Sequence, residues 1–158
     1  MKSTLLAMTL ILAATPMAFA AGKHTGGHDG VMEIGQPAKA GAETRTIQVK
    51  LMETAEGDMI IEPRVLDFKA GETVRLAIKN VGENEHEFVM DTVAAVAKHK
   101  ELMQQFPEME HDDPNALRLA PGEKGEIVWT FAKAGSFEFA CLIPGHYDAG
   151  MHGTLSVN

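Results

Sequence analysis

The sequence predicts an all-β fold: an antiparallel β-sandwich of seven or eight short strands, broken by one helical and loop insertion. Three observations predict it. Runs of alternating apolar and polar residues recur from Thr46 to the end, and Gly and Pro turn signals separate them at regular spacing. A single stretch, residues 92–106, abandons that alternation for apolar positions three and four residues apart.

Taken in order, the chain opens with Lys2, an apolar run from Leu5 to Ala14, and Ala18-Phe19-Ala20, which has the small-x-small form of an export-signal cleavage site. The run is shorter than the roughly 20 apolar residues that cross a bilayer, so residues 1–20 are read as a signal peptide and the location as periplasmic, without membrane insertion. Residues 21–44 are rich in Gly, Ala, Thr and Lys, contain His24 and His28, and lack either periodicity; they are expected to form a flexible leader. The folded domain then spans 45–158.

Within it, Ile47, Val49 and Leu51 alternate with polar residues as a half-buried strand does. Met59 to Glu62 is a second strand ending at Pro63, and Val65 to Phe68 a third. Ala70-Gly71-Glu72 turns the chain into Val74, Leu76 and Ile78, and Val81-Gly82 turns it again into a short extended piece, His86 to Met90. The insertion covers about 90–115. Its helical part places Val96, His99, Met103 and Phe106 on one face, Asp91 or Thr92 is suited to cap it, and the acidic stretch Pro107 to Asn115 is expected to be an exposed loop. After Pro121-Gly122, Ile127, Trp129 and Phe131 share the buried phase of a strand; Phe137 and Phe139 lead to Cys141, and Thr154 to Val157 closes the domain.

Size and charge narrow the function. Removing residues 1–20 leaves 138, enough for one domain with its own core. The formal net charge of −8 becomes −9 because Lys2 is lost and no acidic residue is, which argues against nucleic acid as a partner. The sequence has one cysteine, Cys141, so no intramolecular disulfide forms. A lone exported thiol is inertly buried, joined to a second chain, or bound to a metal as thiolate.

Its neighbours favour the metal. In Cys141-Leu-Ile-Pro-Gly-His146-Tyr-Asp-Ala-Gly-Met151 a thiolate, an imidazole and a thioether lie five residues apart on one connection between strands. Copper alternating between Cu(I) and Cu(II) suits two imidazoles, one thiolate and a weak axial thioether. The segment carries one of the two imidazoles, and His86, just after a strand, is the candidate for the other. Zinc fits less well, since it does not usually recruit a thioether. No Ser-His-Asp arrangement, phosphate-binding Gly loop or paired catalytic carboxylates can be read.

These residues resemble the cupredoxins, the type 1 copper proteins, over roughly 45–158. Asn80-Val81-Gly82 with His86-Glu87-Phe88, and Cys141-x4-His146-x4-Met151, match that family's early histidine and its late ligand loop. The resemblance implies a Greek-key cupredoxin sandwich and one type 1 copper held by His86, Cys141, His146 and Met151. It departs in two places: Glu87 stands where many members have Asn, and the insertion is longer than a minimal electron carrier needs. Within the family the chain is most similar to exported bacterial cupredoxins of copper tolerance.

Further His and Met residues suggest accessory copper. His99 and Met103 share a helical face, with Met90, Met109 and His111 flanking them; His152 adjoins Met151, and His24 and His28 lie in the leader. The functional expectation is periplasmic copper handling by a redox-active binding protein, working with copper ions and a redox or copper-handling partner protein. A one-electron carrier is the alternative reading, and a cuprous oxidase a further one; enzymatic turnover is not the main expectation.

Overall fold

The computed structural model describes residues 32–109 and 113–158. Among these the elements are β1 (Gly35–Pro37), β2 (Arg45–Glu53), β3 (Met59–Glu62), β4 (Val65–Phe68), β5 (Thr73–Asn80), β6 (His86–Asp91), α1 (Val93–Gln105), β7 (Ala116–Leu119), β8 (Lys124–Phe131), β9 (Gly135–Ala140) and β10 (His152–Val157). Two five-stranded sheets stack face to face, one in the order β1-β8-β5-β2-β3 and the other β4-β10-β9-β6-β7.

The alternation read from the sequence is what fills the space between them. Val49 and Leu51 of β2, Val74, Leu76 and Ile78 of β5, and Ile127, Trp129 and Phe131 of β8 are buried from one sheet; Phe88, Phe137, Phe139, Leu155 and Val157 meet them from the other. β6 departs from alternation, with five consecutive residues buried from His86 to Met90. The cause is α1, which covers the outer face of the second sheet: Val96 and Met103 of the helix pack with Val89, Ala140 and Leu142 in a second, smaller cluster. Thr92 caps the helix as expected, its hydroxyl accepting from the Ala95 N–H at 3.1 Å.

The structure departs from the sequence reading in three respects. The leader is not flexible throughout 21–44: Gly35 to Pro37 pair with Trp129 to Phe131 of β8, and Ile34 is fully buried. Three residues are too few to show a period, so the strand had no signature. β7, directly after the expected Pro107–Asn115 loop, is a strand that the sequence reading did not assign; it pairs with β6 through His86↔Leu119 to Val89↔Ala116. Finally, the sheets are mixed, since β2 runs parallel to β5 and β4 parallel to β10; pairing direction leaves no mark on a single strand's alternation.

Candidate metal centre

The late loop folds on itself before any ligand chemistry is considered. The Cys141 N–H donates to the Met151 carbonyl at 2.9 Å, and the Met151 N–H to the His146 carbonyl at 3.1 Å, so both ends of the loop are tied. The His146 N–H donates back to Ile143 at 3.0 Å. Two turns in this loop require left-handed backbone, at Gly145 (φ 89°) and Gly150 (φ 95°), where a side chain would be strained. On the opposing strand side, the buried Asn80 shapes the 80–85 turn: its amide donates to the Asn84 carbonyl at 2.8 Å and the Leu119 carbonyl at 2.9 Å, and its oxygen accepts from the Gly82 N–H at 2.9 Å. That turn delivers His86 to the start of β6.

The two constructions meet at one pole of the sandwich. His86 Nδ1 lies 3.3 Å from His146 Nδ1, and Cys141 Sγ lies 3.3 Å from the same His146 nitrogen. The ligand atoms of His86, Cys141 and His146 all fall within 4.8 Å of one another. His86 and Cys141 are fully buried, whereas His146 is half-buried beside the exposed Pro144 and Gly145. Met151 is fully buried at the loop's far end, in the same core cluster as Cys141.

Burial sets the protonation states. It pushes the Cys141 thiol up to about 12, against the opposing pull of backbone N–H donors such as that of Glu87. It holds both imidazoles below their ordinary value, an effect that His86 reinforces at His146 and that Glu53 opposes at both rings. Two neutral imidazole nitrogens and a sulfur aimed at one point, with no oxygen among the three, fit copper and exclude hard cations such as calcium or magnesium.

The surrounding residues hold this arrangement. The Glu87 N–H donates to Cys141 Sγ at 3.3 Å, and its buried carboxyl accepts from the Leu142 N–H at 3.2 Å, so Glu87 straps β6 to the ligand loop. Glu87, one of the two departures from the family pattern, thus supplies a hydrogen bond across the site. Glu53, which the sequence reading missed, accepts from His86 Nε2 at 3.0 Å. Lying 33 residues upstream at the end of a strand, it gave no linear signal.

The model for copper binding proteins of the plastocyanin/azurin family matches residues 47–158. The chain belongs to this family. Copper is therefore its cofactor, and His86, Cys141 and His146, with Met151 ending the loop, form a type 1 copper-like site. It is similar to the copper-resistant cuproprotein CopI of Rubrivivax gelatinosus, 42% identical over 99% of this chain and 96% of that one. It is similar also to the copper-resistant cuproprotein CopI of Pseudomonas aeruginosa, 39% identical over 78% and 82% of the two chains. Among solved structures, auracyanin B superposes with a TM-score of 0.63 at 26% identity, covering 78% of this cupredoxin and 95% of that chain.

The remaining sequence candidates are dispersed over the cupredoxin frame. Met90 is buried between the sheets and Met103 under the helix, so the second sheet separates them. Met109 is half-buried against the helix cluster, and His99 is half-buried on α1. His152 stacks on Tyr147 with ring centroids 4.4 Å apart, its Nδ1 3.3 Å from Glu138. His24, His28, His111 and the expected signal peptide, residues 1–20, lie outside the described residues. Among the described residues no helix is long and apolar enough to cross a membrane.

Proposed function

We propose that this cupredoxin binds one copper ion through His86, Cys141, His146 and Met151, and that it serves copper tolerance in the periplasm. The convergence of one sulfur and two imidazole nitrogens within 4.8 Å carries the binding half of that reading. Relatives named copper-resistant cuproproteins, matched along most of their length, support the tolerance half.

The residues work as follows. Bound copper supplies one-electron exchange between Cu(I) and Cu(II), the first favouring sulfur and the second imidazole. His86 and His146 are held neutral by burial, so their ring nitrogens are free to donate. Cys141, whose thiol retains its proton far above neutral pH, surrenders that proton when it becomes a ligand. Glu87 and the Cys141–Met151 backbone bond keep the loop in place whether or not metal is present, so little rearrangement accompanies binding.

The half-exposed His146, flanked by exposed Pro144 and Gly145, favours a second reading, electron delivery to a partner protein through that ring. Deleting the gene separates the two. Copper sensitivity with normal respiration is expected; a respiratory defect without sensitivity would overturn the tolerance reading in favour of electron transfer.

A further inference from the structure

We propose that Glu53 is a positioning residue for the copper centre: it holds His86 in the Nε2–H tautomer, presenting the Nδ1 lone pair toward Cys141 and His146, and its negative charge favours Cu(II) over Cu(I). The inference rests on His86 being a copper ligand.

The geometry is specific. Glu53 ends β2 in the first sheet, whereas His86 opens β6 in the second, so the contact ties the two sheets at the metal pole. One carboxylate oxygen accepts from His86 Nε2 at 3.0 Å, from the Asn84 N–H at 2.9 Å and from the Asn84 side-chain amide at 2.6 Å; the other accepts from the Glu83 N–H at 2.9 Å. The three donors besides His86 anchor the carboxylate independently of the ring. A carboxylate fixed in that way can only accept, so the proton of His86 resides on Nε2 and the other nitrogen faces the sulfur. Space is also reserved for the contact: a Cβ at Gly82 would lie 2.1 Å from Glu53 Oε2 and 3.0 Å from His86 Nε2. A neutral acceptor in this place would set the same tautomer. A carboxylate adds a charge one ring away from the metal, and that charge interacts more favourably with the higher oxidation state.

Two variants separate the parts. Glu53→Gln retains an oxygen acceptor and removes the charge, and Glu53→Leu removes both. In the metal-free protein, 15N NMR of the His86 ring is expected to show the Nε2–H tautomer alone in the unaltered chain and in Glu53→Gln, and a mixture in Glu53→Leu. In the copper-loaded protein, Glu53→Gln is expected to lower the ratio of Cu(II) to Cu(I) affinity about tenfold, read as a rise of about 59 mV in reduction potential. Gly82→Ala, which must displace the same carboxylate, should move the potential in the same direction. A Glu53→Gln potential equal to that of the unaltered protein, or a single Nε2–H tautomer surviving in Glu53→Leu, overturns the proposal. If Glu53→Leu does not fold, Glu53→Gln and Gly82→Ala decide. Should the unaltered protein lack a thiolate-to-copper band, His86 as copper ligand fails instead, while the metal-free NMR still reports on Glu53.

Discussion

The metal pole and the helical insertion both contain histidine and methionine, yet they use them differently. At the pole, His86, Cys141 and His146 come from two strand ends and one loop and aim their donor atoms at one point. In the insertion, Met90 and Met103 fall on opposite faces of the second sheet and serve as apolar filling. The lesson is that a ligand set is made by convergence from separate elements. Spacing along one element does not create it, because a helix face that is good for metal is equally good for burial.

The sharpest way to break this contrast is to remove one donor from each region. Cys141→Ser is expected to abolish the intense visible absorption, which arises from thiolate-to-copper charge transfer. It should also weaken copper binding by more than about 100-fold, beyond the effect of losing an outer-shell partner. Met103→Ala, by contrast, should leave the spectrum and a stoichiometry of one copper per chain intact, and destabilise the metal-free protein by about 2–5 kcal/mol in denaturant unfolding. A lowered copper stoichiometry in the Met103 variant would show that the insertion holds metal after all.

Glu87 sits where the two regions join. Its carboxyl is on the helix side of β6 and its N–H bonds the sulfur, so Glu87→Ala should cost about 1–3 kcal/mol of stability by leaving the Leu142 N–H without its buried acceptor. Glu87→Asn, which keeps a side-chain oxygen acceptor, should restore part of that loss. If alanine changes the absorption spectrum and leaves stability untouched, the strap is electronic rather than mechanical.

Acidity distinguishes the regions next, since the pole alone holds buried groups that must shed protons to bind metal. With the thiol raised to about 12 and the imidazoles lowered, the metal-free site at pH 7–8 carries one exchangeable proton, on sulfur. Apparent copper affinity should therefore rise about tenfold per pH unit across that range, with about one proton released per copper. Competition against a chelator of known proton dependence measures it. The metal-free fold should weaken as pH falls below the ordinary histidine value of 6.5: the unfolded chain takes up protons there that the buried imidazoles refuse.

Much of this was legible beforehand. Alternation in β2, β5 and β8 located one sheet and its core, and Cys141-x4-His146-x4-Met151 located the loop, because both depend on local periodicity or spacing. What stayed hidden depends on distant pairing. β1 is three residues long, β7 emerges from an acidic stretch, and the parallel β2–β5 pairing is a property of topology. Glu53 reaches His86 only because β2 and β6 end at the same pole, a fact absent from either segment taken separately.

The smallest effect tests how tightly the insertion is coupled to the pole. Lys100 of α1 lies over the Tyr147 ring at 4.3 Å and pairs with Asp148, while His152 stacks on the other part of the cluster and Glu138 accepts from the Tyr147 hydroxyl at 2.7 Å. Tyr147 follows His146 directly, so this stack links helix and ligand loop, beside the packing of Leu142 against Val96 and Met103. Tyr147→Phe keeps both ring contacts and removes one hydrogen bond; the expected loss is about 1 kcal/mol, with no change in absorption or reduction potential. A shifted potential in that variant would mean that the Tyr147–Glu138 contact is part of the copper centre, because the hydroxyl bonded to Glu138 is the only group removed.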